Sequence, residues 1–161
     1  MQVTDYLIDH QDFNWSGLLA DWNWLLPSEF TVWLMNRFGD LFIVLDDGAV
    51  HMLDVGGGSL EHVATSRDDF IDKIDKEDNA ANWLMIPLVD RLVAAGKTLS
   101  PGRCYSYVIP PVLGGSYELN NIITLSIVEH YGVYGSFHRQ IKDLPDGTRV
   151  KLKVINRNQH D

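Results

Sequence analysis

The stretch TVWLMNRFGDLFIVLDDGAVHMLDVGGGSLEHVA, residues 31–64, decides the fold. Apolar runs at 32–35, 41–45, 50–55 and 60–63 alternate with Phe38-Gly39-Asp40, Asp46-Asp47-Gly48 and Gly56-Gly57-Gly58. These interruptions are far too short for parallel crossover helices, so the runs read as an antiparallel meander. Leu41-Phe42-Ile43-Val44-Leu45 is apolar at both side-chain parities and 50–53 alternates only weakly. Both faces of the sheet therefore need cover, and helices elsewhere in the chain must provide it. The expected class is α+β: an antiparallel β-meander packed with helices.

Three segments follow from this centre. Residues 1–30 form an N-terminal aromatic helical segment packed on the main domain, 31–155 the α+β domain, and 156–161 a frayed tail. In the first, Phe13, Trp15, Leu18, Leu19 and Trp22 have the spacing of a short amphipathic helix, with Asp12 or Asn14 able to cap it, and Pro27 ends continuation. Its tryptophans serve the core or a partner surface. Trp33, inside the first strand, is expected to matter more for stability than Trp15. If Trp33 is buried, truncation to alanine costs roughly 3–5 kcal/mol.

Ser66 precedes Asp69 by three residues, a capping-box spacing that opens a helix over 67–76. Residues 80–95 read as one helix kinked at Pro87 or as two short ones, stopped by Gly96. Residues 104–109 form a strand with Tyr105 and Tyr107 on one parity, packed against a helix, and Cys104 and Ser106 on the other. Ile127, Tyr131, Tyr134, Phe137 and Ile141 recur at helical spacing, while 123–127 also reads as a strand. Gly132 and Gly135 weaken that helix. Arg149, Lys151 and Lys153 alternate with apolar residues as a final edge strand over 149–155.

Composition excludes several function classes. Thirteen basic against 22 acidic residues give a formal charge of −9, which opposes general phosphate or nucleic-acid binding and suits a basic protein partner. One cysteine, Cys104, excludes an intramolecular disulfide and a four-cysteine zinc site. No apolar run reaches membrane-spanning length and no secretory pattern opens the chain, so a cytoplasmic location is expected.

No catalytic constellation emerges. His130 and His138 lie roughly 12 Å apart along a helix, too far to share one ion, and His51 and His62 carry no motif that selects a ligand set. Gly114-Gly115 lacks the Lys-Ser/Thr of a phosphate loop. The carboxylate pairs have turn or cap roles, and Cys104 with His130 or His138 makes a nucleophilic pair only if the fold unites them. No catalytic residue, cofactor or metal is expected.

Several ordered motifs carry a family resemblance: Trp33-Leu-Met-Asn-Arg-Phe-Gly-Asp40, Asn82-Trp-Leu-Met85, Cys104-Tyr-Ser-Tyr107, Ile109-Pro-Pro-Val-Leu-Gly-Gly115-Ser-Tyr117, His138-Arg-Gln140 and Lys142-Asp-Leu-Pro-Asp-Gly147. Across residues 26–150 the chain resembles the C-terminal-domain family of type VI secretion immunity protein Tdi1, with a broader similarity to the SMI1/KNR4-like immunity fold. The resemblance implies a noncatalytic α+β protein that binds and blocks a cognate antibacterial effector, one similar to DNA-degrading toxins and so with a basic DNA-binding surface. Members can carry an additional N-terminal GAD-like domain, where this chain has the short aromatic segment. The resemblance supplies no interface residues. From composition and position, Trp15, Trp22, Trp24, Asp46, Asp47, Asp68 and Asp69 are the candidate partner-binding residues. Two other readings stand beside this one: a structural or regulatory interaction module, and an enzyme using a cleft lined by Cys104 and the tyrosines.

Overall fold

A computed structural model describes residues 2–145 and 147–150. Strands β1 (Thr31–Met35), β2 (Leu41–Val44), β3 (Val50–Asp54) and β4 (Ser59–Ala64) form an antiparallel sheet in sequential order, joined by the three expected turns. Leu41, Phe42 and Ile43 are all fully buried, so β2 is covered on both faces as its composition requires. On one face Phe42 meets Phe70 and Trp83 at ring separations of 5.1 and 6.4 Å. On the other, Met35 receives the Tyr131 hydroxyl at 3.3 Å.

Phe70 belongs to α2 (Arg67–Ile74). Ser66 Oγ accepts from the Asp69 amide at 3.0 Å, while the Asp69 carboxylate accepts from the Thr65 amide at 2.9 Å, one residue earlier than in a capping box. The 80–95 pattern resolves as two helices, α3 (Asn79–Trp83) and α4 (Ile86–Ala94). The break is at Met85, whose φ of 53° ends helical hydrogen bonding. Pro87 then sits in the first turn of α4, where its missing N–H costs nothing.

Strands β5 (Arg103–Tyr107) and β6 (Ile122–Ser126) form a separate two-stranded antiparallel sheet. The strand reading of 123–127 is therefore the correct one, and α5 (Ile127–Ile141) starts where Ser126 Oγ caps the Glu129 amide. The tyrosines of β5 pack on Phe38 of the β1–β2 turn, at 5.3 Å for Tyr105 and 5.6 Å for Tyr107, and Tyr107 also meets Tyr134 of α5 at 6.4 Å, so the expected packing on a helix holds for Tyr107. Cys104 and Ser106, on the opposite parity, are buried too, and Ser106 faces His130 of α5. On α5 the buried stripe runs through Ile127, His130, Tyr131, Tyr134, Gly135 and His138, so His138 replaces the expected Phe137 on the inner face.

The expected helix through 13–22 is broken. One turn, α1 (Trp15–Leu18), is capped by Asn14, and a 3-10 turn at Ala20–Trp22 follows. The break turns Trp22 fully inward, where its indole N–H donates to the Tyr131 carbonyl at 3.0 Å. Gly135 makes this possible: a Cβ there would lie 2.7 Å from the Trp22 indole nitrogen. The glycine that weakens α5 locally is the one that admits the largest core side chain. Trp33, by contrast, lies in a bulge between Val32 and Leu34 and is only half-buried, with Phe70 at 5.1 Å and the Arg67 guanidinium at 5.7 Å. The condition for its full truncation cost is not met. The expected final strand lies outside the described residues beyond Val150, as does the 156–161 tail; Arg149 and Val150 themselves are not in a strand.

Candidate partner interface

The first cluster of buried polar groups is structural. Asn36 uses every hydrogen-bonding position of its amide: Oδ1 accepts from Phe38 and Asp40 amides at 2.9 and 3.0 Å, and Nδ2 donates to the Asp40 carboxylate at 3.0 Å and the Trp83 carbonyl at 2.9 Å. Asp40 also accepts from the Val55 amide at 2.9 Å. The residue pair thereby ties the β1–β2 turn to α3 and to the end of β3. Burial and the nearby Asp54 push the Asp40 carboxyl up to about 7.

The histidines are only partly occupied: the buried His130 Nε2 and His51 Nδ1 atoms have no hydrogen-bond partner among the described residues. His138 donates from Nε2 to the Val55 carbonyl at 2.8 Å, and His130 Nδ1 lies 2.9 Å from Ser106 Oγ. Burial lowers both, His130 to about 4. His51 and His62 face each other across β3 and β4 with ring centres 5.2 Å apart. Among the described residues no group of three or more His, Cys, Asp or Glu is arranged to hold a metal ion.

Cys104 is fully buried, and burial pushes its thiol well above the ordinary range, away from the thiolate a nucleophile requires. Neither of two open cavities, of about 340 and about 870 Å³, is lined by Cys104. The geometry thus provides no Cys104/tyrosine cleft at either opening.

The larger of those cavities is a trough between the N-terminal segment and β1. Leu19, Leu26, Phe30 and Val32 form its apolar base, Trp15 a wall, and Glu29 and Asp46 an exposed acidic rim. Two of the candidate partner residues, Trp15 and Asp46, therefore come together across 31 positions of sequence. The others do not join them. Trp22 is a core residue and is removed from the surface by its hydrogen bond and by Gly135. Trp24 stacks on Trp22 at 6.2 Å and lines the smaller cavity instead. Asp47 accepts from the Ala49 amide in its turn. Asp68 is exposed at the start of α2, where Asp69 is held by Thr65 and by Lys73 at 3.1 Å; neither lines the trough.

A second exposed surface was not among the candidates. Val108, Ile109, Val112 and Tyr117 are 55%, 49%, 44% and 48% exposed on the loop after β5, a density of apolar surface that a rigid loop can offer to a partner. Asn121 clamps this loop by exchanging hydrogen bonds with Ile109 and donating to the Ser116 carbonyl at 2.8 Å. Gly115 passes so close to the Ile109 carbonyl that no Cβ could be placed there. The clamp depends on Asn121, which no motif in the sequence singled out.

The segment from the last residue of β4 through most of α5 is similar to a known family. Residues 64–138 match the family "T6SS immunity protein Tdi1, C-terminal". Within this match fall the motifs at 82–85, 104–107 and 109–117, whereas 33–40 and 142–147 lie outside, so the span is narrower than the expected 26–150. The match to the Tdi1 C-terminal family supports a noncatalytic, binding-type role. No curated protein matches the chain significantly. A solved structure described as "Crystal structure of Atu4351 from Agrobacterium tumefaciens" aligns with a TM-score of 0.51 at 14% identity, over 75% of this chain. The aligned part is 62% of that protein's length, and identity this low shows a shared fold alone.

Proposed function

We propose that the protein is an immunity protein that binds and neutralises a cognate type VI secretion effector in the cytoplasm, without catalysing a reaction. The observation that carries this reading is the family match over residues 64–138. A buried thiol and histidines occupied in packing agree with it. So does the formal charge of −9, which favours encounter with a basic partner such as a DNA-degrading toxin. No helix among the described residues is long and apolar enough to cross a membrane.

The experiment is co-expression with a candidate cognate type VI secretion effector. Cells carrying both are expected to grow, and cells carrying the toxin alone to die. Equal killing with the immunity protein folded and abundant would defeat the reading and favour an interaction module unrelated to immunity.

A further inference from the structure

We propose that the trough beside β1 receives an extended, lysine- or arginine-bearing segment of the cognate effector, which adds to the free edge of β1 as a further strand. The inference rests on the immunity reading above and specifies the partner chemistry that one surface is built to take. Three independent features converge on it.

The first is an open sheet edge. The strand order leaves β1 terminal, and the N-terminal arm closes only its far end, through the Ile8 amide to the Met35 carbonyl at 2.8 Å and a bridge from Leu7 to Asn36. Among the described residues no other backbone bond reaches β1 from outside the sheet. In the consecutive pairs Thr31↔Val44 and Val32↔Ile43, antiparallel alternation makes one residue bond to β2 and turns the N–H and C=O of the other outward, beside the trough. Unpaired edge groups are a template for another strand, and proteins ordinarily blunt them with lysine, proline or a covering loop. Neither Thr31 nor Val32 is a lysine or proline, and the bulge after Val32 confines the regular open edge to these two positions.

The second is shape. At about 870 Å³ the trough has the volume of a small-molecule site, yet it is open along one side and its base is apolar, which suits a chain lying lengthwise better than an enclosed ligand. The third is charge. None of the residues lining it is Lys, Arg or His, while Glu29 and Asp46 stand exposed on the rim. An added strand presents alternate side chains to opposite sides. Apolar residues at i and i+2 would cover Phe30 and Val32, and basic residues between them would meet the acidic rim. The trough also lies wholly outside residues 64–138, in the part of the chain that the shared family segment does not include.

The test uses the full chain and the effector of the co-expression experiment, carrying an inactivating substitution. Glu29→Lys/Asp46→Lys reverses the rim without touching a hydrogen bond or ion pair of the fold, and Glu61→Lys/Asp72→Lys makes the same charge change elsewhere on the exposed surface. The rim variant is expected to bind about tenfold or more weakly and the control within about threefold of the parent. Hydrogen exchange at residues 31–34 is expected to slow in the parent complex. Parent binding with an unaffected rim variant, or with unchanged exchange at 31–34, overturns this inference while leaving immunity standing. Loss of binding on Ile109→Asp/Tyr117→Asp alone moves the interface to the loop after β5 and overturns it equally. Exchange at 31–34 already slow in a free dimer assigns the edge to a second copy, with the same consequence. Absence of parent binding defeats the immunity reading itself.

Discussion

Trp22→Ala is expected to lower the unfolding free energy by about 3–5 kcal/mol, more than the corresponding truncation of Trp15 or Trp33. Trp22 is the largest fully buried side chain, and its removal takes three things at once. The cavity is flanked by Gly135, which has no side chain to fill it. The Tyr131 carbonyl loses the indole donor that supplements the helix bonding of α5. The rings of Trp24 and His138, at 6.2 and 5.6 Å, lose a neighbour. Trp15 and Trp33 each keep a face toward water and so forfeit less transfer free energy. Urea unfolding measures the ranking. A loss for Trp22→Ala below that of either other variant would show that residues 19–26 do not anchor α5 in the way described.

Acidification supplies the second large effect. The buried His130 titrates at about 4 in the folded protein against 6.5 when free. Between those values the unfolded chain binds the extra proton, so stability from the neutral imidazole is complete above pH 6.5 and lost as pH falls toward 4. At ~1.36 kcal/mol per unit the loss is about 3 kcal/mol. His138 and His51, also lowered by burial, act in the same direction. Asp40 opposes them: a carboxyl raised from 3.8 to about 7 holds its proton better when folded, so its contribution declines as pH rises through that window. The informative quantity is therefore the difference between the parent and His130→Gln, whose stability is expected to fall less steeply from pH 6.5 to 4. Parallel curves would contradict a neutral, desolvated His130.

The sheet was legible because its turns are local. Phe38-Gly39-Asp40, Asp46-Asp47-Gly48 and the three glycines at 56–58 interrupt runs whose apolar content demands cover on both faces, and nothing distant alters that reading. Ser66 and Ser126 likewise mark their helix starts within three residues. Features that depend on remote partners were hidden. Asn36 and Asp40 look like ordinary turn residues until Trp83 and Val55 arrive from 47 and 15 positions away. Trp22 stayed a partner candidate although core packing was the favoured reading, because the deciding Gly135 lies at the other end of the chain. The same holds for the proposed interface: Trp15 and Asp46 were singled out separately, but the trough needs Leu19, Leu26, Glu29 and Phe30, whose alignment is set by the irregular path from Ala20 to β1 and not by any periodicity. The bulge at Trp33 had no sequence signal either, and it moved that ring out of the full burial its strand position implied.

The proposed immunity function requires this chain to act by occupying a toxin rather than by chemistry on it. Titrating purified protein into a fixed concentration of a candidate cognate effector, with that effector's own activity as the signal, separates the two. Binding predicts a linear fall that ends near one immunity protein per toxin and does not deepen with longer incubation. Complete inactivation by a small fraction of an equivalent, progressing with time, would reveal turnover and contradict the account.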